Sequence, residues 1–161
     1  MTKAALGAVW GAMRLALLLV LALLLSACGS GSSAHPPGGP APSAGRSGPP
    51  PAWIETEAGS RWLGYSSYCW KHPRGNAVEQ VCADYAAAKC NQRSVPNIRV
   101  RSGETVRAHL GFAPTEASVE GADATLSGRI VAWRVGRGGP FQLFARARDA
   151  DAIYVGCGAV P

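Results

Sequence analysis

The sequence predicts an all-β protein: a single immunoglobulin-like antiparallel β-sandwich with about seven short strands, after a signal peptide and a disordered tether. From residue 98 onward, apolar and polar residues alternate with a period of two, as they do in half-buried strands. Glycine, proline, asparagine and aspartate separate these runs at short intervals, as turns do. Five cysteines are present, and the four beyond residue 60 form an even set suited to two disulfides in an exported domain.

The first 27 residues have the features of an export signal. Lys3 and Arg14 supply positive charge, and the apolar run 15–25 follows them. This run is shorter than the roughly 20 residues that a membrane-spanning helix needs. Two small residues then precede Cys28, so residues 1–27 are predicted to be removed.

The stretch Leu25-Ser-Ala-Cys28 resembles the lipobox of bacterial lipoproteins, in which a peptidase cuts before a cysteine that carries lipid. The resemblance implies a diacylglyceryl thioether on Cys28 and, commonly, an acylated amino terminus. Two or more acyl chains hold a protein stably on a membrane. The expected location is therefore extracytoplasmic, lipid-anchored to the bacterial cell membrane or outer membrane. The alternative is an ordinary secretory signal with an incidental cysteine.

Residues 28–52 are predicted to form the lipidated cysteine and a disordered tether. After Cys28 they are almost wholly glycine, proline, serine and alanine, with no large apolar side chain to bury. At Trp53 the composition changes abruptly to aromatic and β-branched residues. The disulfide-stapled β-sandwich is therefore predicted to occupy residues 53–161.

The first predicted element of the domain is a hairpin. Residues 64–70 and 79–84 are short strand-like runs, and the segment between them contains Pro73 and a Gly-Asn pair, which favour a turn. In such a hairpin Cys69 and Cys82 face each other across the strands. The segment 84–91 has helix-forming composition and is expected to form one or two helical turns.

The remaining strands are predicted from alternation alone. Apolar residues occupy every second position in each run, and turn-forming residues separate the runs. The predicted strands lie at residues 98–101, 105–112, 117–119, 124–126, 131–135, 141–148 and 152–160.

Several short motifs resemble a group of bacterial surface lipoproteins that carry one small immunoglobulin-like domain. The likeness covers residues 64–158 and rests on Ser67-Tyr-Cys-Trp70, Cys82-Ala-Asp-Tyr85, Arg101-Ser-Gly-Glu-Thr105, Ala113-Pro114 and Tyr154-Val155. It implies a non-catalytic sandwich and a disulfide between Cys69 and Cys82, in agreement with the hairpin, which leaves Cys90 to pair with Cys157. It carries no binding residues to transfer.

Charge suggests one candidate binding surface. The net charge is +6, and removing Lys3 and Arg14 with the signal leaves +4. This charge permits weak attraction to anionic lipid or wall polymer. It is too small for a nucleic-acid interface. Five arginines occupy the polar phase of their strands, and if these strands share a sheet they form one anion-binding face. They are Arg99, Arg101, Arg107, Arg146 and Arg148.

No catalytic, metal or cofactor motif stands out in the sequence. The cysteines lack the close pairs of zinc sites, and no Gly-x-Ser-x-Gly elbow is present in the domain. Among the aromatic residues, Tyr68 and Trp70 are expected to be the exposed pair. We therefore expect a non-catalytic module that binds an anionic envelope polymer or a partner protein. The alternative is a small exported hydrolase that uses His109 or His72.

Overall fold

The computed structural model describes residues 34–85 and 87–160, so the predicted signal peptide and Cys28 lie outside the described residues. The described chain is all-β and forms two sheets of five and six strands that pack as a sandwich, which confirms the predicted fold class. Its eleven strands are β1 Ala52–Thr56, β2 Gly59–Trp62, β3 Gly64–Arg74, β4 Ala77–Asp84, β5 Asn97–Arg99, β6 Thr105–Leu110, β7 Glu116–Val119, β8 Ala124–Ser127, β9 Ile130–Arg134, β10 Gly139–Ala147 and β11 Ala150–Ala159.

The two sheets differ in how they are built. The five-stranded sheet has the order β2-β1-β6-β9-β8, and all of its pairs are antiparallel. The six-stranded sheet has the order β4-β3-β11-β10-β7, and the short β5 adds to β11 in parallel. This parallel pair departs from the purely antiparallel sandwich that alternation predicted, because alternation reports which face is buried and not the direction of the neighbour.

The core lies between the sheets and follows from the alternation. Ile54, Val106 and Val131 from the five-stranded sheet meet Leu143 and Tyr154 from the six-stranded sheet, and all five are 0% exposed. Full burial of one such aliphatic side chain contributes about 1.5–3 kcal/mol. The core is thus made by every second residue of the central strands, while the residues between them face outward.

The structure has two more strands than the nine runs located from the sequence, and more than the seven or so expected of the fold. β1 and β2 were not expected, since the first follows directly on a proline-rich stretch and the second is only four residues long. Gly59 opens β2 with a φ of 115°, a conformation that glycine adopts readily, and this allows the tight return from β1.

The helix predicted over residues 84–91 is absent. Asp84 is the last residue of β4, and the described part of 85–96 forms turns without a helix. One or two isolated helical turns are marginal in water. Here the segment instead packs Ala88 and Val95 against Val155 on the outer side of β11.

Both predicted disulfides are confirmed. Cys69 and Cys82 are directly paired across β3 and β4, with their Cα atoms 4.1 Å apart. Cys90 bonds Cys157 with a Cα–Cα distance of 5.3 Å and so ties the loop after β4 to the last strand. The first bond lies on an exposed hairpin, and the second is part of a small buried cluster.

The last part of the predicted tether is folded. Three tyrosine hydroxyls donate hydrogen bonds to its backbone carbonyls: Tyr68 to Ala44 (3.1 Å), Tyr65 to Pro49 (3.1 Å) and Tyr154 to Pro50 (2.7 Å). Proline has no N–H, so its backbone can only accept hydrogen bonds, and the tyrosine hydroxyls supply the donors for this proline-rich stretch. The predicted boundary at residue 53 is therefore too late, and residues 44–51, here named the docked linker, belong to the domain.

Burial changes the acidity of these tyrosines. It raises the pKa of Tyr65 to about 12, with a smaller contribution from neighbouring Tyr68. Burial also raises the pKa of Tyr68 and Tyr154, with smaller contributions from Tyr85 and Tyr65 respectively. The hydroxyls consequently stay protonated, as donors to the docked linker must.

Candidate functional site

The five predicted arginines do not share one face. Arg107 lies on β6, on the outer side of the five-stranded sheet, whereas Arg146 lies on β10, on the outer side of the six-stranded sheet. There Arg146 contacts Glu116 at 3.4 Å and lies over the Phe144 ring. Arg148 is exposed in the turn after β10. Alternation placed Arg107 and Arg146 correctly opposite the core, but the two sheets of a sandwich turn their outer faces in opposite directions.

Arg99 and Arg101 do come together, at a cavity of about 520 Å³. The cavity lies where β5 leads toward β6, beside the turn between β1 and β2 and the end of β11. Its charged lining is Glu57, Arg99, Arg101 and Glu104, and its apolar lining is Ala58, Val100, Ala159 and Val160. A volume of this size is typical of sites for small molecules or for one group of a larger ligand.

A buried carboxylate holds this cavity in shape. Glu104 is 7% exposed and accepts the backbone N–H groups of Arg101 (2.6 Å) and Glu57 (3.3 Å). The Arg101 guanidinium contacts the Glu57 carboxylate at 2.7 Å. Within the described residues Arg99 is exposed and contacts no carboxylate. The cavity therefore offers one uncompensated guanidinium beside an apolar wall, which suits an anionic group attached to an apolar part.

The histidines named for the hydrolase alternative each contact a carboxylate. His109 Nε2 lies 3.3 Å from Glu55 Oε2, and its ring stacks on Trp53 with centroids 3.8 Å apart. Neither His109 nor Glu55 lines any of the three cavities described in the folded domain.

His72 has the more suggestive surroundings. Its Nε2 lies 3.1 Å from Ser47 Oγ and 3.4 Å from Glu79 Oε2, while Nδ1 is buried and has no hydrogen-bond partner among the described residues. In a Ser–His–acid set, the hydroxyl and the carboxylate contact opposite ring nitrogens. Here both contact the same one, so the three side chains are not arranged to pass a proton from serine to carboxylate.

The prediction that Tyr68 and Trp70 form an exposed pair of aromatic residues is wrong for Tyr68. Tyr68 was expected to be exposed, but it is 6% exposed and faces the core, where its hydroxyl reaches the docked linker. Trp70 is half-buried, with its ring edge-on to Phe112 at 4.9 Å. The hairpin therefore uses these rings to close the sandwich over the docked linker.

The outer face of the five-stranded sheet carries a surface that was not predicted. The registers place Trp62, Trp53, His109 and Ile130 side by side across β2, β1, β6 and β9, and we name these four half-buried residues the aromatic row. The adjacent row across β1 and β6 pairs Glu55 with Arg107. Only the registers bring residues so distant in sequence together, so period-two alternation alone could not find the row.

Comparisons with known proteins add no family assignment. No protein-family model, no curated protein and no solved structure matches the chain. Among the described residues no group of three or more His, Cys, Asp or Glu side chains is placed to hold a metal ion. In the same part of the chain we find no helix whose length and hydropathy suit a membrane span.

Proposed function

We propose that this chain is an extracytoplasmic protein anchored to the cell envelope by lipid on Cys28, whose β-sandwich binds a ligand rather than catalysing a reaction. The observation that supports the anchor is the use of the five cysteines. Four form the two disulfides of the domain, bonds that are typical of oxidising compartments. Cys28 is the fifth, and it stands in a lipobox-like stretch after an export signal.

Metabolic labelling tests the anchor. Cells expressing the protein and fed an alkyne fatty acid are expected to give labelled wild-type protein that fractionates with membranes. Cys28→Ala removes the acceptor thiol and is expected to abolish the label. Ser32→Ala, four residues downstream, serves as the matched control and is expected to label fully. Label that persists on Cys28→Ala, or its absence from wild type, would contradict the proposal.

The binding part of the proposal rests on the cavity at Arg99. One guanidinium without a carboxylate partner in the described domain, beside the apolar side chains of Val100 and Val160, suits a phosphate or carboxylate carried by an envelope polymer. Arg101 is already paired with Glu57, which leaves Arg99 as the group that meets the ligand.

A binding measurement on full-length protein in mild detergent tests this site. The probe is poly(glycerol phosphate), and binding is expected to weaken as salt rises, because the contact is partly exposed. Arg99→Gln should weaken binding by about 10-fold or more, since it removes a charge-assisted contact. Arg148→Gln removes the same charge from a turn outside the cavity and is the matched control. Equal losses in the two variants, or no binding at low salt, would overturn this part of the proposal.

A further inference from the structure

We propose that the outer face of the five-stranded sheet lies against the anionic lipid head groups of the membrane to which the chain is attached. The inference rests on the proposed function, because a lipid on Cys28 is what brings the face to the membrane. It goes further by assigning a membrane-facing side to the domain, a side different from the cavity at Arg99.

The aromatic row has the composition of a membrane interface. Trp62, Trp53 and His109 are aromatic, and Ile130 extends the row across a fourth strand. The ring nitrogen Nε1 of Trp62 is buried and has no hydrogen-bond partner among the described residues. Tryptophan is enriched at the level of lipid head groups, where its large ring lies at the boundary of the apolar region. None of the four is among the side chains that pack into or against the core between the sheets.

The charges on the two outer faces differ. On the six-stranded sheet, Lys71 contacts Asp149 at 3.3 Å and Arg146 contacts Glu116 at 3.4 Å, so these cations are compensated. On the five-stranded sheet, apart from Arg61, whose register with the buried Ile54 puts it on the inner side, three exposed arginines have no carboxylate contact within the described chain. They are Arg107 on β6, Arg134 on β9 and Arg129 in the turn before β9.

The carboxylates of the five-stranded sheet offset these arginines only in part, since Glu55 lies opposite Arg107 across β1 and β6. Glu55 contacts His109, and Glu57 contacts Arg101 at the cavity. A positive surface beside an aromatic row complements an anionic leaflet, where each basic residue contributes about fivefold to binding. With Glu55 set against Arg107, two net positive charges favour attachment by about 25-fold.

The docked linker enters the five-stranded sheet beside the aromatic row. Trp53 is the second residue of β1, directly after the docked linker, and Pro50 lies against Gly111 at the end of β6. The aromatic row therefore lies at the end of the sheet where the docked linker joins β1. From Cys28 to Ala44 the backbone spans at most about 55 Å when fully extended. Tethering over so short a distance gives an effective concentration near the millimolar range, so weak surface binding is sufficient.

Vesicle co-sedimentation of the mature chain carrying Cys28→Ser tests the inference without help from the lipid. The probes are vesicles of phosphatidylcholine alone and of equal parts phosphatidylcholine and phosphatidylglycerol. We expect partition to the anionic vesicles only, with loss of binding at high salt. The double variant Arg107→Gln/Arg134→Gln is expected to lower partition roughly 25-fold. Trp62→Ser should also lower it, with the near-ultraviolet circular dichroism showing that the fold is kept.

The matched control is Lys71→Gln/Arg146→Gln, which removes the same charge from the opposite outer face. It should leave partition within about twofold of wild type, because those cations are already compensated. Equal losses of partition in the two double variants would show attraction by net charge alone and overturn the inference. The absence of partition to anionic vesicles would overturn it as well. Tighter binding to polygalacturonate than to the anionic vesicles at matched charge would assign the face to an acidic polysaccharide and also overturn it. None of these outcomes depends on acylation, so they leave the labelling result on Cys28 as a separate test of the anchor.

Discussion

The double variant Cys90→Ala/Cys157→Ala is expected to lose about 4 kcal/mol of unfolding free energy, the larger of the two disulfide effects. The bond closes a loop with a sequence separation of 67, whereas Cys69–Cys82 closes one of 13. In the chain-entropy model a longer loop restricts the unfolded chain more, and the shorter bond contributes about 3 kcal/mol. Urea unfolding of both double variants measures the difference.

Cys69→Ala/Cys82→Ala is the matched control, because it removes the same number of sulfur atoms from the exposed hairpin. The buried bond has a second role that the hairpin bond lacks. It holds Val95 against Val155 on the outer side of β11, so its loss should also open the loop of residues 85–96 to protease. An equal or smaller loss of stability in the Cys90/Cys157 variant would contradict the prediction.

Alkaline pH is expected to destabilise the domain through the docked linker. An unfolded tyrosine has a pKa near 10, whereas burial raises the pKa of Tyr65 to about 12 and shifts Tyr68 and Tyr154 in the same direction. Above pH 10 the native state then holds more protons than the unfolded state, so stability falls as pH rises. The contribution is complete below pH 10 and is lost progressively as pH rises through the folded pKa, which for Tyr65 is about 12.

Denaturant titrations across this range, followed by tyrosinate absorbance, give the measurement. Tyr65→Phe should cost about 1 kcal/mol at neutral pH, because it removes the hydrogen bond to Pro49. It should also make the loss of stability above pH 10 less steep. Tyr85→Phe, at a residue that is 56% exposed, should leave the neutral value unchanged. A wild-type stability that is flat from pH 10 to pH 12 would contradict the assignment of these hydroxyls.

The features that could be predicted are those that depend on residues close together in the sequence. Alternation located β6, β9, β10 and β11, and turn chemistry located the hairpin, so the pairing of Cys69 with Cys82 followed directly. β1 and β2 were missed because they are short and adjoin a proline-rich stretch whose composition suggests disorder. That stretch is ordered by three tyrosines that lie 16 to 104 residues away along the chain.

The candidate sites were less predictable for a related reason. Alternation assigns each arginine to the outside of its own strand but does not say which sheet the strand joins, so Arg107 and Arg146 were wrongly grouped. Only strand order reveals that Trp62, Trp53 and His109 are neighbours. The cavity at Arg99 depends on the buried Glu104, whose sequence context of Ser-Gly-Glu-Thr indicated only a turn.

The docked linker also sets an order of events in time. Residues 44–51 leave the ribosome before any strand of the domain, yet one of their partners, Tyr154, lies in the last strand. Contacts between residues so far apart in sequence form slowly, because closing the intervening loop costs entropy first. The docked linker is consequently synthesised before the strands of the domain but is the last part to gain all of its tertiary contacts. Until β11 is complete, the docked linker lacks the contact with Tyr154, so the acylation proposed for Cys28 would have an interval before this contact forms.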